Sequence, residues 1–199
     1  TIKLPANGQY GKIAYDIFGD SFNDSSSGTI RVVGGASNLQ GFYLMGDIDG
    51  PGLDGCTALL QSAKLWRLPL VFRQGDAPYN ILEMYNPGDS DTTASLRLLD
   101  ADGMEVASAT RGLVAGGTLV EDIRDIFGIS LSSFQGGYIL GQSGAPLVVR
   151  GNFGHALDSN VLQAQVSFSR ARYYLPHFAS GGQYSTELTL VNINTASPV

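Results

Sequence analysis

The chain carries one piece of sequence twice. Leu4-Pro5-Ala6-Asn7-Gly8-Gln9-Tyr10-Gly11-Lys12-Ile13-Ala14-Tyr15-Asp16-Ile17-Phe18-Gly19 aligns without a gap on Leu113-Val114-Ala115-Gly116-Gly117-Thr118-Leu119-Val120-Glu121-Asp122-Ile123-Arg124-Asp125-Ile126-Phe127-Gly128. Both copies end in Asp-Ile-Phe-Gly. The match continues. Gly28-Thr29-Ile30-Arg31-Val32 corresponds to Gly137-Tyr138-Ile139-Leu140-Gly141, and Phe42-Tyr43-Leu44-Met45-Gly46 to Leu147-Val148-Val149-Arg150-Gly151. Leu65-Trp66-Arg67-Leu68-Pro69 corresponds to Arg172-Tyr173-Tyr174-Leu175-Pro176. Tyr79-Asn80-Ile81-Leu82-Glu83-Met84-Tyr85-Asn86 corresponds to Ser185-Thr186-Glu187-Leu188-Thr189-Leu190-Val191-Asn192. The period is about 105–109 residues, the length of a common β-sandwich.

The register of the repeat is offset against the chain. Residues 67–171 make one whole copy. Residues 1–66 read as the back part of a second copy, and residues 172–199 as its front part. That second copy lacks a counterpart of residues 95–109, which read in the complete copy as a hairpin turning at Asp102-Gly103. Three arrangements fit. The two fragments meet within one chain, the front of one chain completes the back of the next, or the sequence is cut from a longer array. An unfilled sandwich exposes strand edges and core, so the second arrangement is a recipe for a head-to-tail polymer.

Composition sets the fold class. Charged residues are 15% of the chain, and 26 of its 199 residues are glycine. Few charges, many glycines and many β-branched residues read as all-β with tight turns. The expected fold is two related, Ig-like β-sandwich modules, each with one short helix, one of them split between the chain ends. Strands are expected at 29–33, 41–45, 95–99, 163–171 and 187–192 from alternation and turn signals. The helix of the complete copy is expected from Leu119, Ile123, Ile126 and Phe127, spaced as one helical face. Thr118 and Glu121 have capping-box spacing, and Gly128 the place of a left-handed cap. The first copy repeats that face with Tyr10, Ala14, Ile17 and Phe18. Phe18 and Phe127 are expected to plug the open sandwich ends.

Charge excludes some partners. The net charge is −6 with no basic stripe, which argues against nucleic acid and against anionic membrane surfaces. No apolar run approaches the ~18–20 residues that span a bilayer. The chain starts at Thr1 without a Met, which reads as processing or trimming, so the lack of a visible leader carries no weight. Cys56 is the single cysteine, so no intrachain disulfide forms; its apolar setting reads as a small buried hydrophobe.

Candidate chemistry is sparse. Asp47, Asp49 and Asp54 lie on a Gly-rich loop and could offer oxygen ligands to calcium. Their spacing departs from the EF-hand loop, with Pro51 at the fifth position, so an ordinary polar turn is the preferred reading. His155 and His177 sit in no metal-ligand spacing, and no Gly-x-Ser-x-Gly elbow is present. No pair among the acids stands out as a glycosidase pair. Trp66 and Tyr173 occupy matching places before Leu-Pro; core packing is preferred there over a sugar-stacking platform. No catalytic residue and no cofactor is assigned.

The run Leu175-Pro176-His177-Phe178-Ala179-Ser180-Gly181-Gly182-Gln183-Tyr184-Ser185-Thr186-Glu187-Leu188-Thr189-Leu190-Val191-Asn192, with Leu99-Asp100-Ala101-Asp102-Gly103, resembles tandem β-sandwich repeat modules of bacterial secreted and cell-surface proteins. The resemblance covers most of the chain but rests on short, turn-rich motifs. It implies β-sandwich modules and an extracellular or cell-surface setting, and it supplies no catalytic residues. The expected function is therefore a non-catalytic structural subunit that self-associates, with a filament built by strand complementation as its sharpest form. Its expected assembly residues are Ile2, Leu4, Leu188, Leu190, Val191, Ile193 and Val199. Binding of surface glycans as an adhesion module is the first alternative, and an accessory domain of a glycan-acting hydrolase the second.

Overall fold

The computed structural model describes residues 2–6, 8–19, 29–34, 41–46, 53–57, 62–70, 79–129, 134, 136–155, 158–163 and 165–166. The chain forms two units, Thr1–Val33 and Gly34–Val199. Most described residues of the second unit lie in antiparallel strands, as an all-β class requires.

The elements of the second unit are β1 (Phe42–Gly46), β2 (Leu53–Thr57), β3 (Ala63–Leu70), β4 (Tyr79–Tyr85), β5 (Thr92–Asp100), β6 (Glu105–Leu113), β7 (Thr118–Asp122), α2 (Ile123–Phe127), β8 (Gly137–His155), β9 (Asp158–Gln163) and β10 (Gln165–Val166). The described residues of the first unit include the helix α1 (Ala14–Phe18). β1 and β2 pair only with each other. The remaining strands form one curled antiparallel sheet organised by the 19-residue β8. Its first half runs between β3 and β5, and β5 carries β6 outside it. Its second half runs between β4 and β9, and β4 carries β7. β3 spans residues 66 and 67, so Trp66 and Leu68 belong to one strand.

Between the halves, β8 changes neighbours. Ser143 is the last residue opposite β5, and Val148 the first opposite β4. The Ser143 hydroxyl donates to the Ala145 carbonyl at 2.7 Å, and the Ala145 amide donates to Thr92 Oγ1 at 2.9 Å. Pro146 has no amide to leave orphaned at the crossover.

The bend stacks the two halves on one core. On β5, Ala94, Leu96 and Leu98 alternate inward with exposed Thr93, Ser95 and Arg97, the period of two that a half-buried strand shows. Leu82 and Met84 of β4, Trp66 and Leu68 of β3, and Ile139, Leu147 and Val149 of β8 join them in one apolar cluster. Gly151 marks how close the layers come: a Cβ there would stand 2.9 Å from the Leu68 side chain.

Two loops follow directly from local chemistry. At the β5–β6 turn the Asp100 carboxylate accepts from the Asp102 and Met104 amides at 3.0 and 2.8 Å, and Gly103 takes a φ of +80°. Asn86 is buried at the end of β4. Its side-chain amide donates to the carbonyls of Ser90 at 2.8 Å and Val114 at 3.1 Å, and its carbonyl accepts from the Gly88 amide at 3.0 Å. Asn86 thus ties the β4–β5 loop to the β6–β7 turn. Replacing Asn86 with alanine removes three to four hydrogen bonds made by a buried side chain, at about 1 kcal/mol each. The expected outcome is a loss of about 2–4 kcal/mol, read as a lower urea midpoint at unchanged slope.

Three expectations need correction. The helix of the complete copy is shorter than its apolar spacing suggests. Residues 118–122 are strand β7, because the ladder to β4 captures them, and α2 begins at Ile123. Its cap is therefore Asp122, whose carboxylate accepts from the Arg124 amide at 2.8 Å, not the Thr118–Glu121 box. Gly128 does take the left-handed cap, at φ 64° and ψ 33°. Second, residues 29–33 form no strand, and β1 pairs with β2 rather than with them. Third, Phe127 packs against the core, whereas Phe18 is 43% exposed. The calls on Asp47, Asp49, His177, Leu188, Leu190, Val191, Ile193 and Val199 fall outside the described residues.

Candidate assembly surface

The two copies of the repeat offer a comparison inside one molecule. Their local structure agrees. The Gly8 amide donates to the Pro5 carbonyl at 2.9 Å, and at the matching place the Gly117 amide donates to the Val114 carbonyl at 3.0 Å. α1 at Ala14–Phe18 falls on the positions that match α2 at Ile123–Phe127. β1 falls on the positions that match the second half of β8.

Their burial does not agree. Leu113, Ile126 and Ile139 are 4%, 4% and 0% exposed, whereas their counterparts Leu4, Ile17 and Ile30 are 43%, 40% and 54% exposed. Among its described residues the first unit has no buried side chain. Its large exposed apolar residues also include Ile2, Tyr10, Ile13, Val32 and Val33. Isolated apolar residues on a surface are ordinary; a run of chain that buries none of its many is a mark of an interaction surface. Ile2 and Leu4, two of the expected assembly residues, are among these exposed ones. Tyr10, Ile13, Ile17, Ile30, Val32 and Val33 were not expected to assemble; of these, Ile17 and Ile30 align on the buried Ile126 and Ile139.

α1 is correspondingly weak. Its N-cap residue Ile13 makes no side-chain hydrogen bond, and none of its five residues is buried. A helix this short has no stability of its own and depends on packing. α2 differs on both counts, with its Asp122 cap and with Ile123 and Ile126 buried.

Charge marks the complete copy differently. The Arg111 guanidinium grips the Glu121 carboxylate with two bonds of 2.8 Å and donates to the Ile126 carbonyl at 3.3 Å. That clamp joins β6 to β7 and to the end of α2. The hydrogen bond from Arg111 holds the Glu121 carboxyl below its ordinary value and raises Arg111. Burial works against ionised Asp122, but bonds from the Arg124 side chain and the Arg124 and Asn80 amides outweigh it and hold that carboxyl low. At neutral pH these groups act as charged structural ties. Their counterparts in the first copy are Ile2, Lys12, Ile13 and Tyr15, so none of the clamp or cap is repeated.

Among the described residues no three His, Cys, Asp or Glu side chains stand together as a metal site. Asp54 lies on β2 opposite Met45; its two loop partners are not described. Asn80 and Asn152 both carry buried polar atoms without hydrogen-bond partners, but they stand one step apart in the β4–β8 ladder and so face opposite sides of the sheet. No described helix is long and apolar enough to cross a membrane.

Comparison with known proteins adds little. No family model matches the chain, and no curated protein matches it. Among solved structures, Thermotoga maritima 1070 aligns over 55% of this chain and 96% of its own, at 16% identity and a TM-score of 0.43. The Anabaena sensory rhodopsin transducer aligns over 46% of this chain and 97% of its own, at 19% identity and a TM-score of 0.38. Likenesses this distant carry no argument about what the chain does.

Proposed function

We propose that the chain is a non-catalytic structural subunit that joins copies of itself head to tail in an extracellular or cell-surface assembly. In this reading both copies of the repeat are Ig-like β-sandwich modules. One is residues 67–171. The other is residues 1–66 completed by residues 172–199 of a neighbouring chain. Leu188, Leu190, Val191, Ile193 and Val199 would come from the donor, and Ile2 and Leu4 from the acceptor. One observation carries the reading: the same repeat positions are buried in the complete copy and exposed in the first unit. Burying such apolar surface is the main driving force for association.

Size-exclusion chromatography with negative-stain imaging tests it. The intact chain is expected to form a ladder of species that grows with concentration, and a variant lacking residues 186–199 to run as a folded monomer. A strictly monodisperse, folded monomer of the intact chain contradicts the reading, as does assembly that survives the deletion.

A further inference from the structure

Both ends of α2 hang on neighbouring carboxylates of β7. Asp122 holds the N-terminal end. Its carboxylate accepts from the Arg124 amide at 2.8 Å and from the Arg124 side chain at 2.9 and 2.7 Å. Glu121 holds the C-terminal end through Arg111. The guanidinium that grips Glu121 also donates to two carbonyls of the last turn, Asp125 at 3.4 Å and Ile126 at 3.3 Å. Neighbouring residues of a strand face opposite sides, so one short strand serves both ends. What α2 covers is apolar. It packs against β4, β6 and β7, and its Ile123 and Ile126 join Leu82, Met84 and Leu113 in the core cluster.

We propose that α2 is an acid-released flap latched by Glu121 and Asp122: protonating the two carboxylates frees α2 from β4 and β6 and uncovers apolar core, while β5 and β8 stay paired. Charge-assisted bonds are about twice as strong as neutral ones, and protonation removes the charge. A five-residue helix has little stability of its own to set against that loss. Arg124 is then left unbalanced in the first turn, where the helix dipole disfavours a cation. No other charge on the surrounding elements replaces the latch. On β6, Glu105 is bound to Arg97 of β5. On β4, Glu83 is paired with Arg150 of β8 and stands opposite Val120, so it faces away from Glu121. The other titratable groups of β4 are phenols, which stay neutral in acid. On α2, Asp125 acts on Arg124 by charge. The direction of the response follows from the bonds. Arg111 holds the Glu121 carboxyl below its ordinary value. Burial opposes ionised Asp122, but the bonds from Arg124 and from the Asn80 amide hold that carboxyl low as well. The latch is therefore complete above the ordinary carboxylate range and is lost as the pH falls through these lowered values.

Hydrogen exchange of the intact chain, followed from pH ~7 to ~2 and corrected for the intrinsic rate at each pH, reads the flap. Amides of residues 124–129 are expected to lose protection about tenfold or more at a higher pH than those of β5 and β8. Loss in all three at one pH overturns the flap, because the unit then opens as a whole. Arg111→Met tests the latch without acid. Residues 124–129 of that variant are expected to lose protection about tenfold or more at neutral pH, with β5 and β8 unchanged. Protection equal to the parent's overturns the latch. If Arg111→Met does not fold, Glu121→Gln takes its place, since it keeps the side-chain shape and removes the charge. The same loss at residues 124–129 is expected from it, and protection equal to the parent's overturns the latch in the same way.

Discussion

Replacing Gly141 with valine is expected to cost the Gly34–Val199 unit about 3 kcal/mol or more. β8 places Gly141 between Trp66 of β3 and Leu96 of β5. The Trp66 indole lies over the glycine, and a Cβ there would fall 2.0 Å from ring atom Cζ2 and 2.1 Å from Cε2. No rotation of a valine avoids a clash made by its first carbon. The indole must leave, and losing a buried aromatic costs about 3–5 kcal/mol. That is a large share of the ~5–15 kcal/mol that holds a typical domain folded. Trp66 is the sole tryptophan, so its fluorescence reports this event alone. The expected result is red-shifted emission together with a lowered melting temperature. Native emission at an unchanged melting temperature would show that the ring does not lie across the strand.

The second large effect falls on assembly and spares the fold. Serine at Leu4, Ile17 and Ile30 together removes three apolar side chains that are exposed in the single chain. Exposed substitutions change stability by about 0.5 kcal/mol or less each. The melting temperature is therefore expected to hold. Burying each side chain at an interface is worth roughly 1.5–3 kcal/mol. Losing three weakens association by roughly a thousandfold or more, at about 1.4 kcal/mol per tenfold. Sedimentation of the variant beside the parent checks both halves. Unchanged assembly in the variant would remove these residues from the interface.

The parts of the fold that local chemistry determines were legible in sequence. Asp102-Gly103 marks its hairpin because a left-handed residue suits glycine, and Gly128 marks the helix end for the same reason. What needed a distant partner was not legible. Leu119, Ile123, Ile126 and Phe127 fit one helical face, yet Leu119 lies opposite Met84 in a ladder, and pairing overrides spacing. Residues 29–33 have the composition of a strand, but a strand exists only against a neighbour. The match of Trp66 to Gly141 depends on a register between segments far apart in sequence, which no local pattern encodes. Asn86 follows β4 at a repeat position matched by Asn192, but its bonds to the β6–β7 turn appear only in three dimensions. For the proposed assembly surface, the repeat supplied the alignment, and burial supplied the contrast between the two copies.

That contrast is open to one direct measurement: hydrogen exchange at residues 9–18 and 30–33 of the intact chain across a wide range of protein concentration. The account predicts fast exchange at high dilution and protection that rises with concentration, while amides of β5 and β8 stay protected throughout. Protection of residues 9–18 and 30–33 that is the same at every concentration would contradict it.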